Sequence, residues 1–448
     1  MSALWQSGEL AAALGLAGGS PAVTGISIDT RSLRPGDLFV ALNAERDGHD
    51  FVAEAFAKGA AAALVSRPLP GAVLRVSDTL TGLNRLAAAS RARTAARIVA
   101  VTGSVGKTTS KEMLRRCFAA FGHVHAAEAS FNNHIGVPLT LARMPAGSDF
   151  GIFEIGMNHP GEILPLARLV RPDAAIVTCV DRAHIGLMGS LAAIAAEKAS
   201  IFMSLRAGGT AVMPEDPVNL PILQAAVPGG AGGIIFGAHA PAARLLSARS
   251  TATDCTLHAE IAGTRVCATL AAPGTHMAMN ALAVLAAAHA LGLDLHRAAA
   301  ALDGFSPFTG RGARRTMAIS GGTITLLDES YNASGASVRA ALGVLALQPG
   351  RRIAALGDML ELGDAAPSEH LGLRPDLITN ADLIFSCGPM MRLLFDSLPP
   401  SKQGAHALDA AALAPLLLAS LRDGDSLLVK GSYGSRMRDV ISRLESPV

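Results

Sequence analysis

The chain has 448 residues, about three times the usual length of one domain, so two or three units are expected. Lys and Arg number 38 against 36 Asp and Glu, a net charge of +2, which leaves no field strong enough to favour nucleic acid or an anionic membrane surface. Half the residues are hydrophobic, yet the most apolar stretch, 278–295, carries Asn280, His289 and Asp294, so no membrane span of roughly 20 apolar residues is expected. The five cysteines, Cys117, Cys179, Cys255, Cys267 and Cys387, include no CxxC pair, which argues against a disulfide framework or a zinc knuckle. The opening MSALWQSGEL lacks a basic segment and contains Glu9, so it does not read as a secretory signal, and a cytoplasmic protein is expected.

In chain order, residues 1–95 alternate short β-like runs at 37–42 and 61–65 with a helical run at 51–58. Residues 96–311 open with an apolar strand at 98–101, a glycine loop and a helix-forming stretch, and further strands at 152–155 and 174–180 are separated by alanine-rich helices. A Gly- and Pro-rich stretch at 220–237 leads to an alternating, polar section at 255–270 with no evident chemical role. Loop chemistry at 305–315 marks a second boundary. Residues 312–448 then read as strands at 323–327, 353–356, 383–386 and 426–429, with helices long enough for crossovers between them. The fold class is α/β in three domains: a small N-terminal α/β domain, a central parallel sheet of the P-loop ATPase type, and a Rossmann-like C-terminal domain.

The most informative segment is RIVAVTGSVGKTTSKEML, 97–114. A β-branched strand runs into Gly103, Ser104, Val105, Gly106, Lys107, Thr108 and Thr109, and a helical pattern begins at once. Such glycines turn successive N–H groups toward phosphate oxygens, aided by the positive end of the helix. Lys107 is then expected to reach the β/γ-phosphates and Thr108 to bind Mg²⁺. Strict Walker spacing wants a small residue at Val101, so the match is to a shorter variant.

Ligands of open α/β sheets bind outside the carboxyl ends of the strands, and several polar residues fall there. Glu154 ends an otherwise apolar strand, where burial is costly without a cation. His184 lies in the loop after the next strand and, taken alone, reads first as a loop or satisfied core histidine and only second as a ligand. Asn132 and Asn133 read as turn formers or substrate contacts. Ser190 looks like an N-cap, after which Leu191, Ile194, Lys198, Ile201 and Leu205 form an apolar stripe at helical spacing. Lys198 on that stripe either snorkels to water or has a pKa lowered by burial. As a neutral amine it can react with CO₂ to give a carbamate, which converts a cation into a metal-binding anion. In the third part, 328–333 (DESYNA), 357–363 (GDMLELG) and 430–435 (KGSYGS) each end a strand, and both tyrosines of the chain lie in these loops. Arg311, in the linker, is either a solvated arginine or a phosphate contact brought in by closure.

These segments together resemble the Mur ligase family of ATP-dependent amide-bond-forming enzymes. The resemblance spans nearly the whole chain: ISIDTRSLRPGDLFVAL and DGHDF; TGSVGKTT, NNHIGVPLT, EIGMNHPGEI, AHIG and EKASIF; HMAMNALA, GRG, DESYNA, GDMLELG and KGS. The opening motif with DESYNA and GDMLELG is similar to the branch that joins D-alanyl-D-alanine to a UDP-N-acetylmuramoyl-tripeptide. The resemblance implies a UDP-sugar-binding domain at 1–95, an ATP-binding domain at 96–311 and a ligase domain at 312–448. It implies ATP as cofactor with two Mg²⁺ sites, one on Thr108 and Glu154, the other on His184 and a carbamylated Lys198; Lys107 with Glu154, His184 and Lys198 would be the catalytic set. By the same resemblance Asn280 and Asn332 contact adenine, Asp328 the ribose and Arg311 the phosphates, while Ser27, Asp29, Thr30 and Arg31, with Asn132 and Asn133, bind substrate. Met277 and Glu329 depart from residues common in the family. The implied protein is a monomer that binds no nucleic acid. A sister ligase adding a single amino acid, a folylpolyglutamate synthase, and a nucleotide-dependent regulatory protein without ligase activity are the competing readings.

Overall fold

The computed structural model describes residues 3–128 and 130–445. Its strands form three sheets of four, nine and six strands. The first sheet is parallel throughout, in the order Gly25–Ser27, Asp37–Val40, Ala62–Val65, Val73–Arg75. Its two central strands are wholly buried, as expected for parallel strands covered on both faces. Helix Thr79–Arg93 starts at Asp78, whose carboxylate accepts the Thr81 N–H at 2.6 Å. That helix packs on helix Gly136–Ala142 of the second sheet's unit. Trp5 Nε1 donates to the Ala142 carbonyl and Arg143 Nε to that of Ile26, so the first sheet is pinned to the second.

The nine-stranded sheet runs Thr264–Leu270, Cys255–Ile261, Ala243–Ser250, Gly232–Gly237, Thr210–Pro214, Ala174–Val177, Arg97–Thr102, Phe150–Glu154, Val124–Ala126. The first three strands are antiparallel to one another and the rest pair in parallel. Along Arg97–Thr102 the side chains alternate between two cores: Ile98 and Ala100 join one hydrophobic cluster, Val99 and Val101 the other. Helix Thr275–Ala290 lies in the second of these cores, packed against helix Lys107–Ala119. It contains much of the apolar stretch at 278–295; its hydrophobicity serves burial inside a domain. Among the described residues no helix is long and apolar enough to cross a membrane.

The structure departs from the sequence expectation in two places. The stretch 220–237 contains helix Leu220–Ala225 and strand Gly232–Gly237, which lies in register with Thr210–Pro214 despite its glycines. The strand expected to reach 180 stops at Val177, because the Thr178 side chain turns to the phosphate loop. The section 255–270 is an antiparallel hairpin that extends the sheet beyond the parallel part.

The third sheet runs Ala313–Ile319, Gly322–Glu329, Ser426–Lys430, Arg352–Gly357, Leu383–Cys387, Gln403–Ala407, parallel except for its first pair. Glu329 and Leu356 both lie opposite Lys430, so DESYNA, KGS and GDMLELG emerge side by side at one rim.

Candidate active site

Strand Arg97–Thr102 pairs with Phe150–Glu154 on one side and Ala174–Val177 on the other. Register sets Val101 opposite Glu154 and Thr102 opposite Val177, so the phosphate loop, Glu154 and the loop toward His184 leave the sheet at one level. Gly103 and Gly106 have φ of 151° and 83°. A Cβ on Gly103 would stand 1.8 Å from Thr178 Oγ1, and one on Gly106 2.6 Å from Asn280 Oδ1, so neither position admits a side chain. Thr178 Oγ1 donates to the Val105 carbonyl at 2.5 Å. Ser104 Oγ donates to the Asp181 carbonyl at 2.9 Å and accepts the Asp181 N–H at 2.8 Å. The loop is braced by its own neighbours.

Glu154 is only 2% exposed, and both its oxygens are engaged. Oε2 accepts from Thr108 Oγ1 at 2.8 Å and Oε1 from Asn132 Nδ2 at 2.7 Å. These neutral donors meet the cost of burying the carboxylate, with Lys107 near enough to act on it electrostatically. Lys107 Nζ folds back onto the Gly103 carbonyl at 2.6 Å, and burial pushes its pKa down against the pull of Glu154. Asn133 does different work: its Oδ1 accepts the N–H groups of Ile135 and Gly136 and starts helix Gly136–Ala142.

Among the described residues no three His, Cys, Asp or Glu side chains gather as a metal cage. Mg²⁺ does not require one, since it is commonly held by one or two carboxylates, waters and substrate phosphates. Glu154 beside the Thr108 hydroxyl, both hard oxygen donors at the mouth of a phosphate loop, fits the protein's share of such a site.

Ser190 caps helix Leu191–Ala199 by accepting the Ala193 N–H at 3.1 Å. Lys198 does not snorkel: it is 1% exposed and its amine makes no hydrogen bond among the described residues. Burial, reinforced by Lys107, brings its pKa down from 10.5 to about 7. Its neighbour Glu197 accepts the N–H groups of Gly161 and Ile163 at 2.8 Å each, fastening the loop after Glu154 to the lysine helix. Glu197 is not among the residues expected from the sequence; its place beside Lys198 in EKASIF, on the more polar side of the stripe, is the signal that points to it.

His184 has left-handed backbone, φ 65°, and its Nδ1 meets Glu361 Oε2 of the third sheet's rim at 2.5 Å. That bond holds the Glu361 carboxyl below its usual range, against burial. Arg311 Nη2 donates to Ser130 Oγ at 3.0 Å while its guanidinium lies 3.9 Å from the centre of the Tyr331 ring. Its charge also depresses the Lys107 pKa, so the linker arginine faces the phosphate loop. Tyr331 and Tyr433 are exposed, with ring centres 5.9 Å apart. Asn332 is exposed at the same rim, its carbonyl accepting from Lys430 Nζ at 2.9 Å. Asp328 is turned inward at 1% exposure, with Oδ1 accepting from the Ser330 hydroxyl at 2.7 Å.

The first sheet's candidates form a separate group. Ser27 Oγ donates to the Asp29 carbonyl at 2.9 Å, the Thr30 carbonyl accepts from Lys58 Nζ at 3.0 Å, and Arg31 grips Asp29 through Nε and Nη2. The Arg31 side chain is 81% exposed.

A parallel-sheet phosphate loop, a buried carboxylate facing it and a buried lysine of lowered pKa, with a second α/β sheet bearing on the same rim, define a nucleotide-dependent ligase site. The chain belongs to the Mur ligase family. Residues 22–88 match the family's catalytic domain, residues 101–288 the Mur ligase middle domain and residues 314–433 the Mur ligase, glutamate ligase domain. It is 36% identical over 440 residues to the UDP-N-acetylmuramoyl-tripeptide–D-alanyl-D-alanine ligase of Escherichia coli (strain K12), covering 96% of this chain and 95% of that protein. The crystal structure of MurF from Acinetobacter baumannii superposes with a TM-score of 0.87 at 28% identity, covering 99% of both chains. MurF ligase from Thermotoga maritima in complex with ADP gives a TM-score of 0.81 at 25% identity, covering 94% of this chain and 97% of that one.

Proposed function

We propose that this chain is an ATP-dependent, ADP-forming ligase that joins D-alanyl-D-alanine to UDP-N-acetylmuramoyl-tripeptide, giving the pentapeptide precursor of peptidoglycan. The observation that carries the reading is the braced phosphate loop with Glu154 held against Thr108, in a chain similar along almost its whole length to ligases of that specificity.

In this reading the loop 103–109 holds the triphosphate, Asn280 and Asn332 meet adenine, Asp328 the ribose and Arg311 the phosphates. Ser27, Asp29, Thr30 and Arg31 receive the UDP end of the sugar nucleotide, and Asn132 keeps Glu154 in place beside the acceptor peptide. Mg²⁺ on Thr108 and Glu154, and a second ion on His184 and the Lys198 carbamate, would supply positive charge between two anions that otherwise repel. Lys198 is suited to the carbamate because an amine of pKa about 7 is half neutral near pH 7; its nitrogen attacks CO₂, a C–N bond forms and one proton leaves. The tripeptide carboxylate then attacks the γ-phosphate, forming an acyl phosphate and releasing ADP, with Lys107 redirected from the Gly103 carbonyl to the transferring phosphoryl group. The dipeptide amine attacks the acyl carbon, the tetrahedral intermediate collapses and phosphate departs. An acyl phosphate is hydrolysable, so the third sheet's rim, already against the phosphate loop through Arg311, excludes water.

The division at 95/96 and 311/312 belongs to the same reading, supported by one sheet within each part. In the same reading the enzyme acts as a monomer, and the UDP-linked substrate and ATP point to the cytoplasm. The test is phosphate release against a panel of UDP-muramoyl peptides and amine acceptors. Release is expected only when tripeptide and D-alanyl-D-alanine are both present; turnover with a single amino acid in place of the dipeptide would assign a sister reaction instead.

A further inference from the structure

The loop that carries His184 and the loop after Gly357 belong to different sheets, and they meet backbone to backbone. The Gly186 N–H donates to the Glu361 carbonyl at 3.0 Å. A Cβ on Gly186 would stand 2.4 Å from the Gly363 nitrogen, so the approach leaves no room for a side chain. Ile185 packs against the hydrophobic clusters of both sheets, and Arg182 pairs with Glu369 at 3.0 Å. In the middle of this contact, His184 Nδ1 meets Glu361 Oε2.

Both partners of that hydrogen bond hold left-handed backbone, with φ of 65° each. Residues with side chains rarely adopt it, and they keep it only where the surroundings impose it. Adhesion between the two loops does not need this strain, since Ile185, the backbone bond and the Arg182–Glu369 pair already supply it. What the strained pair adds is orientation. A carboxylate only accepts, so in the neutral ring the proton must sit on Nδ1 and Nε2 is left bare. Nε2 makes no hydrogen bond among the described residues.

We propose that Glu361 is a positioning residue for His184: it fixes the ring's orientation and tautomer, and it does so only when the third sheet is docked on the central one. The inference rests on the reading of His184 as part of the reaction centre, whether as a metal ligand or as a base toward the incoming amine. In either role the bare Nε2 is the working atom, and a second group bonded to the other nitrogen is the general means of aiming such a ring. Undocking removes the acceptor and frees the ring to rotate, so the histidine is set only in the arrangement that also shields the acyl phosphate.

The test uses the full-length enzyme with isotope-labelled histidine and nitrogen–proton correlation spectra at mildly alkaline pH, the His184 signal being assigned by its loss in His184→Ala. The native ring should carry its proton on Nδ1. Glu361→Ala should move it to Nε2 or to a mixture, whereas Glu361→Gln, which keeps an acceptor oxygen, should leave it in place. Turnover should follow the same order: kcat roughly 10–100-fold lower in Glu361→Ala, largely recovered in Glu361→Gln, with KM for ATP and dipeptide nearly unchanged. Glu361→Asn tolerates left-handed backbone but falls short of the ring, and it substitutes if the alanine variant folds poorly. An unmoved tautomer in Glu361→Ala, or a normal kcat beside a moved one, overturns the positioning role. Full activity in His184→Ala would instead overturn the placement of His184 at the reaction centre, whatever its ring signal.

Discussion

The rims of the first and central sheets are both carboxyl ends of parallel strands, yet they hold charge in opposite ways. In the first, Asp29 and Arg31 form a bidentate pair in solvent, and the Arg31 hydrogen bonds bring the Asp29 carboxyl down to about 2. In the central sheet Glu154 is buried with both oxygens on neutral donors, and the Lys198 amine is buried with no hydrogen bond among the described residues. An exposed pair is weak and easily rearranged for an incoming ligand. Groups fixed in a low-dielectric rim act strongly on charge that develops beside them and need no reorganisation at the moment of reaction. In the proposed reading the first rim suits recognition and the second chemistry.

Removing the buried amine should give the largest effect. Lys198→Ala is expected to lower ligation by on the order of 10³-fold, with partial recovery on adding short-chain carboxylic acids; full activity without them would break the contrast. The same residue should leave a mark on stability. Its folded-state pKa, about 7, lies below the ordinary 10.5, so across that interval the unfolded chain binds the extra proton and stability rises with pH. In CO₂-free buffer the melting temperature should therefore climb from neutral to alkaline pH, and Lys198→Met should flatten that climb. Next in size, Gly103→Ala forces a methyl against Thr178 Oγ1 and should weaken ATP binding by about 10–100-fold in calorimetric titration, the equivalent of roughly 1–3 kcal/mol of strain. Smallest is Arg31→Ala. It should raise KM for the UDP substrate several-fold, leaving KM for the dipeptide and the melting temperature almost unchanged; a raised dipeptide KM instead would erase the division of labour.

Much of this was legible in the residues. The glycine spacing of 103–106 announces a loop that only backbone can fill, whereas the 3.6-residue stripe that includes Lys198 places its stem inward without saying whether the amine snorkels to water; the structure buries it. The parallel sheets follow from apolar runs separated by helical stretches. What stayed hidden depends on register and on meetings between distant segments. Nothing local to Asn132 says that its amide ends on Glu154, and nothing near His184 names Glu361, 177 residues onward. Strand Gly232–Gly237 escaped because glycine reads as loop; its neighbour Thr210–Pro214 supplies the pairing that its own side chains do not. Asp328 ended inward for a similar reason, since the Ser330 hydroxyl two residues on captures its carboxylate.

The helix Thr275–Ala290 turns mostly alanine to its neighbours, and it stands against the helix that begins at Lys107. Alanine lets two backbones come close, so this helix works as a spacer gauge: its thinness sets how near Asn280 stands to Gly106. A branched residue on the face of this helix turned to that neighbour would widen the gap from inside the core, and the damage would register at the nucleotide before it registered as unfolding.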